Sequence, residues 1–128
     1  APAAHAQGQE TRISMTVGDT VISATLEDSE TTREFIATLP RTMAMKRYAD
    51  REYYGKVGKR LSEKGPKIPD YSDGDVTYYV PGGSFAVFFD KEEQESLSGL
   101  IRMGRIDSDL SVFNDMPDSM ELSIAVVE

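Results

Sequence analysis

The chain contains no cysteine, no tryptophan and a single histidine, His5, in 128 residues. Without cysteine there are no disulfides, no thiolate nucleophiles and no zinc–sulfur sites. A Ser-His-Asp or Cys-His relay needs a base beside its nucleophile, and His5 stands in an N-terminal segment without apolar periodicity. Positive charge is also scarce. Fourteen Lys and Arg face 22 Asp and Glu, for a net charge of −8, which argues against a nucleic-acid surface. The one basic cluster, Lys56, Lys59, Arg60, Lys64 and Lys67, is interrupted by glycines and reads as a solvated loop face. No apolar run is long enough to span a bilayer. These absences predict no metal, no cofactor, no nucleic-acid partner and no membrane span.

What is present reads as one domain with one core. Hydrophobic residues make up 39% and charged residues 28%, a balance that supports a folded rather than a disordered chain. Ile13, Met15 and Val17 alternate with polar residues, and after Gly18-Asp19 a second strand runs from Thr20 to Leu26. Asp28-Ser29 offers a helix cap, and Thr32, Phe35, Ile36 and Leu39 fall on one helical face ahead of Pro40. A strand over Thr42 to Tyr48 follows. Arg51 to Tyr71, broken by Gly55, Gly58, Gly65, Pro66 and Pro69, is expected to be a loop-rich excursion with at most a short strand. Val76 to Val80 and Phe85 to Phe89 enclose a Pro81-Gly82-Gly83 turn, a strong hairpin signal. Lys91 to Ser98 reads as a charged loop. Leu100 to Ile106 and Met120 to Val126 are further strands, with one or two helical turns over Ser108 to Phe113. Seven or eight short strands with one good helix predict a mainly β fold, a small closed barrel with one main helix and a short second helix.

Residues 1–9 are small and uncharged, and Ala4-His5-Ala6 has the A-x-A form found before a signal-peptidase cut. A flexible linker or cloning remnant fits them equally well. The domain is therefore expected over residues 10–128, with export to the periplasm or medium preferred over a cytoplasmic location.

Thr31 to Pro40, Gly74-Asp75-Val76-Thr77-Tyr78-Tyr79, Phe85 to Phe89 and Met103-Gly104-Arg105-Ile106 occur in an order that resembles the bacterial cyclophilin-like domain family. The resemblance runs from about Arg12 to Val127 and implies a closed β-barrel with helices over its ends. As that family is known, bacterial members of this size have no assigned reaction. True cyclophilins carry a Phe-His-Arg segment and a Phe-x-x-Gln-Gly-Gly segment, and neither is found here.

Acidic spacing around Asp70, Asp73 and Asp75, or Asp107 and Asp109, fails the calcium-loop pattern and fits turns and caps better. Arg105 stands out, since alternation places it on the face of Ile101 and Met103. A bulge at Gly104 would turn it outward, and this is the favoured reading on the positional meaning of strand glycines. The other reading is an arginine in a barrel-mouth pocket walled by Tyr78 or Tyr79, ready for a carboxylate or phosphate. The functional expectation is a non-catalytic or ligand-binding module whose partner is a small molecule or peptide. The alternative is a prolyl isomerase with a divergent site, for which Arg102 or Arg105 with Phe85 or Phe88 is the available set. Oligomeric state is not readable from the sequence.

Overall fold

The computed structural model describes residues 10–91 and 95–127, so the expectations for the tail at 1–9 lie outside the described residues. β1 (Thr11–Val17) and β2 (Thr20–Leu26) form the N-terminal hairpin, followed by α1 (Glu30–Ile36). β3 (Arg41–Tyr48) and β4 (Glu52–Lys56) come next, then the two-residue β5 (Lys67–Ile68). β6 (Asp75–Tyr79) and β7 (Ser84–Phe88) are the central hairpin, and β8 (Leu100–Ile106) and β9 (Ser119–Val126) complete the set. A 3-10 turn over Leu110–Phe113 separates the last two.

Eight strands close in the order β2-β1-β9-β3-β4-β7-β6-β8, every pairing antiparallel. β8 completes the ring by pairing Gly104, Arg105 and Ile106 with Leu26, Thr25 and Ala24 of β2. Closure leaves no long edge for another strand to join. The fold is thus the mainly β barrel the sequence predicts, with one helix and one short turn.

Period-two patterning sends Ile13, Met15, Ile22, Ala24, Met43, Met45, Leu122 and Ile124 into the barrel, where all are buried. α1 begins at Ser29, whose hydroxyl accepts from the Thr32 amide, as a cap should. It stops at Ile36, three residues before the helical face runs out, and its last turn tightens through Thr38 N–H to Phe35 O and Leu39 N–H to Ile36 O bonds. Its Phe35 ring stacks on Phe85, 4.8 Å between centroids, so the helix covers that end of the barrel with an aromatic contact.

One expectation needs correcting. The segment from Arg51 is no mere loop, because β4 is a full barrel strand between β3 and β7. Gly55 does not break it. A Cβ there would stand 2.5 Å from Ala44 O and 2.7 Å from Met45 Sδ, so the glycine lets β4 approach β3 closely. The bulge near Gly104 is present. Val76 faces Gly104 while the next residue, Thr77, faces Arg102, which leaves Met103 as the extra residue of β8. Met103 stays inside, Ile106 turns towards the core and Arg105 turns out. The reason for glycine at 104 is again close approach, since a Cβ would stand 2.1 Å from Thr25 O.

Candidate functional site

The barrel interior is filled. Tyr78 and Phe85, adjacent across β6 and β7, are fully buried in it, and the Tyr78 hydroxyl accepts the Leu61 amide at 3.2 Å. Both side chains are therefore part of the packed core.

Unusually, β6 and β7 are buried on both faces. The outer face carries a second apolar cluster of Tyr71, Ala86, Phe88 and Leu100, with Tyr54, Ile68, Tyr79 and Leu97 packed against it. Tyr71 stacks on Phe88 at 4.2 Å and its hydroxyl donates to Glu95 O. Asp70 fastens this cover, accepting from the amides of Tyr71 and Leu97 and from Lys91 Nζ at 2.6 Å. The Lys91 ammonium, with those backbone donors, holds the Asp70 carboxyl well below the usual carboxylate range.

Beside the cover runs a groove of about 270 Å³ over the outer face of β4, β7 and β6. Its floor includes Ser84 and Ala86, and Tyr48, Tyr54, Tyr79 and Leu97 wall it. Glu52, Tyr54 and Lys56 alternate along β4 and therefore share this outer face. At one end Arg51 and Glu52 form a buried ion pair, 8% and 5% exposed. The Arg51 guanidinium lies 4.4 Å from the Tyr48 ring centroid, 5.4 Å from Tyr71 and 5.8 Å from Phe88. It is thus sheathed in aromatic faces. Its Nε and Nη2 both go to Glu52 Oε1, the former at 2.7 Å. Burial pushes the Glu52 carboxyl up, and the Arg51 guanidinium offsets part of that rise. At the other end Lys56 Nζ donates to Gly82 O at 2.7 Å.

The residues singled out in the sequence are dispersed. Tyr78 and Phe85 point inside, whereas Tyr79 and Phe88 belong to the outer cluster. Arg102 pairs with Glu27 at 3.3 Å, beside α1, and its Nε is buried without a hydrogen-bond partner among the described residues. Arg105 is 51% exposed, bonding Asp73 O at 2.9 Å and Asp75 Oδ1 at 3.3 Å. Its partner Asp75 sits opposite it at the start of β6, about four residues or 13 Å from Tyr79. Arg105 and the tyrosines do not meet in one pocket, and of the six residues only Tyr79 lines the groove. Sequence reasoning missed Tyr48, Arg51, Glu52 and Tyr54. The alternation of Glu52, Tyr54 and Lys56 was the available signal, masked by the glycine between them.

Among the described residues, no group of three or more His, Asp or Glu is placed to hold a metal ion. No helix among the described residues is long and apolar enough to cross a membrane.

A closed eight-stranded antiparallel barrel, capped by a helix and carrying its groove on the outer wall, defines the class. Residues 15–125 match the model of the Cyclophilin-like family, and the chain belongs to that family. The fold is similar to the solution structure of the hypothetical protein AF2241 from Archaeoglobus fulgidus, with a TM-score of 0.76 and 20% identity over 94% of this chain and 98% of that one. No curated protein matches the sequence.

Proposed function

We propose that this protein is a non-catalytic binding module and that its ligand, a small molecule or short peptide, lies in the groove over β4, β7 and β6. One observation carries the reading. Three tyrosines wall a concavity that ends on a buried ion pair, the combination of apolar wall and few fixed polar groups that ligand sites share. Its volume falls just under the common range of about 300–1,000 Å³, which favours a ligand of modest size. The perturbed Glu52 carboxyl in the same groove adds weight.

Prolyl isomerisation must lower a barrier of about 20 kcal/mol, commonly with an arginine assisting at the prolyl nitrogen. Arg51 is the arginine of the groove, and it is committed to Glu52 and covered by Tyr48. The test has two arms. In thermal-shift and calorimetric titrations with short peptides and small aromatic molecules, binding is expected for the wild type and lost in Tyr79→Ala. In an X–Pro peptide assay no acceleration above background is expected. Acceleration at the rate of a true cyclophilin would replace this reading with the isomerase one.

A further inference from the structure

We propose that the groove selects free peptides of three or four residues, with the N-terminal ammonium at Glu52 and the C-terminal carboxylate at Lys56. The inference rests on the groove being a binding site and adds the class of ligand.

Glu52 carries the first half of the argument. Both Arg51 donors converge on Oε1, and no partner for Oε2 is found among the described residues. Arg102 Nε is the one fully buried side-chain polar atom without a partner among the described residues, so Glu52 Oε2 keeps an opening to the groove, where a ligand donor can replace water. Glu52 lines the groove, so a donor arriving there meets an oxygen already positioned. An ammonium satisfies it best, since charge-assisted bonds are about twice as strong as neutral ones.

Lys56 carries the second half. Its ammonium has three donors and spends one on Gly82 O, which also fixes where the head lies. Four residues along β4 separate Glu52 from Lys56, about 13 Å between their Cα atoms. An extended tripeptide spans about 10 Å and a tetrapeptide about 13 Å. Tyr54 and the small floor residue Ala86 face each other across β4 and β7 between the two charges, and Tyr79, opposite Ser84, walls the Lys56 end. Such walls suit an apolar or aromatic central side chain. A strand-like ligand fits this surface better than a globular one, and barrel closure rules out its joining the sheet as an extra strand.

The test is calorimetry on the full chain with Ala-Phe-Ala in four forms: free, N-acetylated, C-amidated and blocked at both ends. Free peptide is expected to bind roughly fivefold or more tightly than the acetylated form, the size of one partly exposed charge pair. Glu52→Gln should erase that difference, and Lys56→Gln should erase the difference made by amidation. Should E52Q fail to fold, the four wild-type affinities decide the matter alone. Equal binding of free and doubly blocked peptide overturns the charge ordering and leaves the groove as a site. An acetylation effect that persists in E52Q overturns the placement of the ammonium. Absence of binding by every form, with no other peptide or aromatic ligand bound either, overturns both readings.

Discussion

Arg51 Nε and Nη2 converge on the same oxygen of Glu52, Oε1. In a pair this buried, a bidentate fork would have satisfied both oxygens, so the single-oxygen geometry leaves an acceptor beside the groove. The pair therefore both stiffens the corner between β3 and β4 and presents chemistry to a ligand. Three aromatic rings around Arg51 hold that geometry against solvent.

Glu52 and Asp70 should titrate with opposite signs. Burial raises Glu52 in the folded state, so between about pH 4 and the folded pKa the unfolded chain releases this proton first. Its contribution is full at low pH and is lost as pH rises through the folded pKa. Urea unfolding of wild type and Glu52→Gln across about pH 4 to 7 should show the wild type losing ground as pH rises. A difference that does not change with pH would contradict the raised carboxyl.

Asp70 is lowered in the folded state, first by its bond with Lys91, so its contribution is present above the unfolded pKa. It is lost as pH falls below about 4, the ordinary aspartate value. Asp70→Asn should flatten the acid limb of the stability profile. It should also loosen the residues around Leu97, read as faster amide exchange there, because Leu97 N–H bonds the Asp70 carboxylate. An unchanged acid limb would remove Asp70 from its role as fastener of the outer cover.

Gly104→Val should destabilise the barrel by about 3 kcal/mol, the upper end of overpacking costs, because a Cβ meets the β2 backbone and not a movable side chain. Chemical denaturation measures it. A harmless substitution would mean that β8 and β2 can separate without loss, contrary to the closure described.

Arg105→Ala should cost about 2 kcal/mol, between the values for an exposed pair and a buried one. The arginine is half exposed, but its partner Asp75 is 3% exposed in its side chain and would keep, among the described residues, its bond from the Ser72 amide. Denaturant unfolding of Arg105→Ala beside an Arg105→Ala, Asp75→Asn double variant separates the lost bond from the stranded carboxylate. A smaller loss in the double variant is expected.

Much of the barrel was legible because its strands obey simple rules. Met15 and Leu122 alternate with polar neighbours, Met43 and Ile124 with polar or small ones, and Gly18-Asp19 and Pro81-Gly82-Gly83 mark turns in sequence. The bulge was legible too, since burying Arg105 beside Ile101 and Met103 conflicted with its charge. β4 was obscured because Gly55 looks like a breaker until Ala44 is seen pressed against it. The groove was harder still. It exists because β6 and β7 are covered outside by Tyr71, Ile68 and Leu97, residues far apart in the chain whose meeting no local pattern announces. Runs such as Phe85 to Phe88 signal burial on both faces, but not what covers the outer one.

The central claim, a ligand site on the outer wall of the barrel, is tested most directly by chemical-shift mapping of the isotope-labelled protein with a library of short peptides and small aromatic molecules. The account predicts dose-dependent shifts confined to the groove, at Glu52, Tyr54, Lys56, Tyr79 and Ala86, with Arg102 and Arg105 undisturbed. Shifts centred on Arg105 or Arg102, with the groove unmoved, would contradict it.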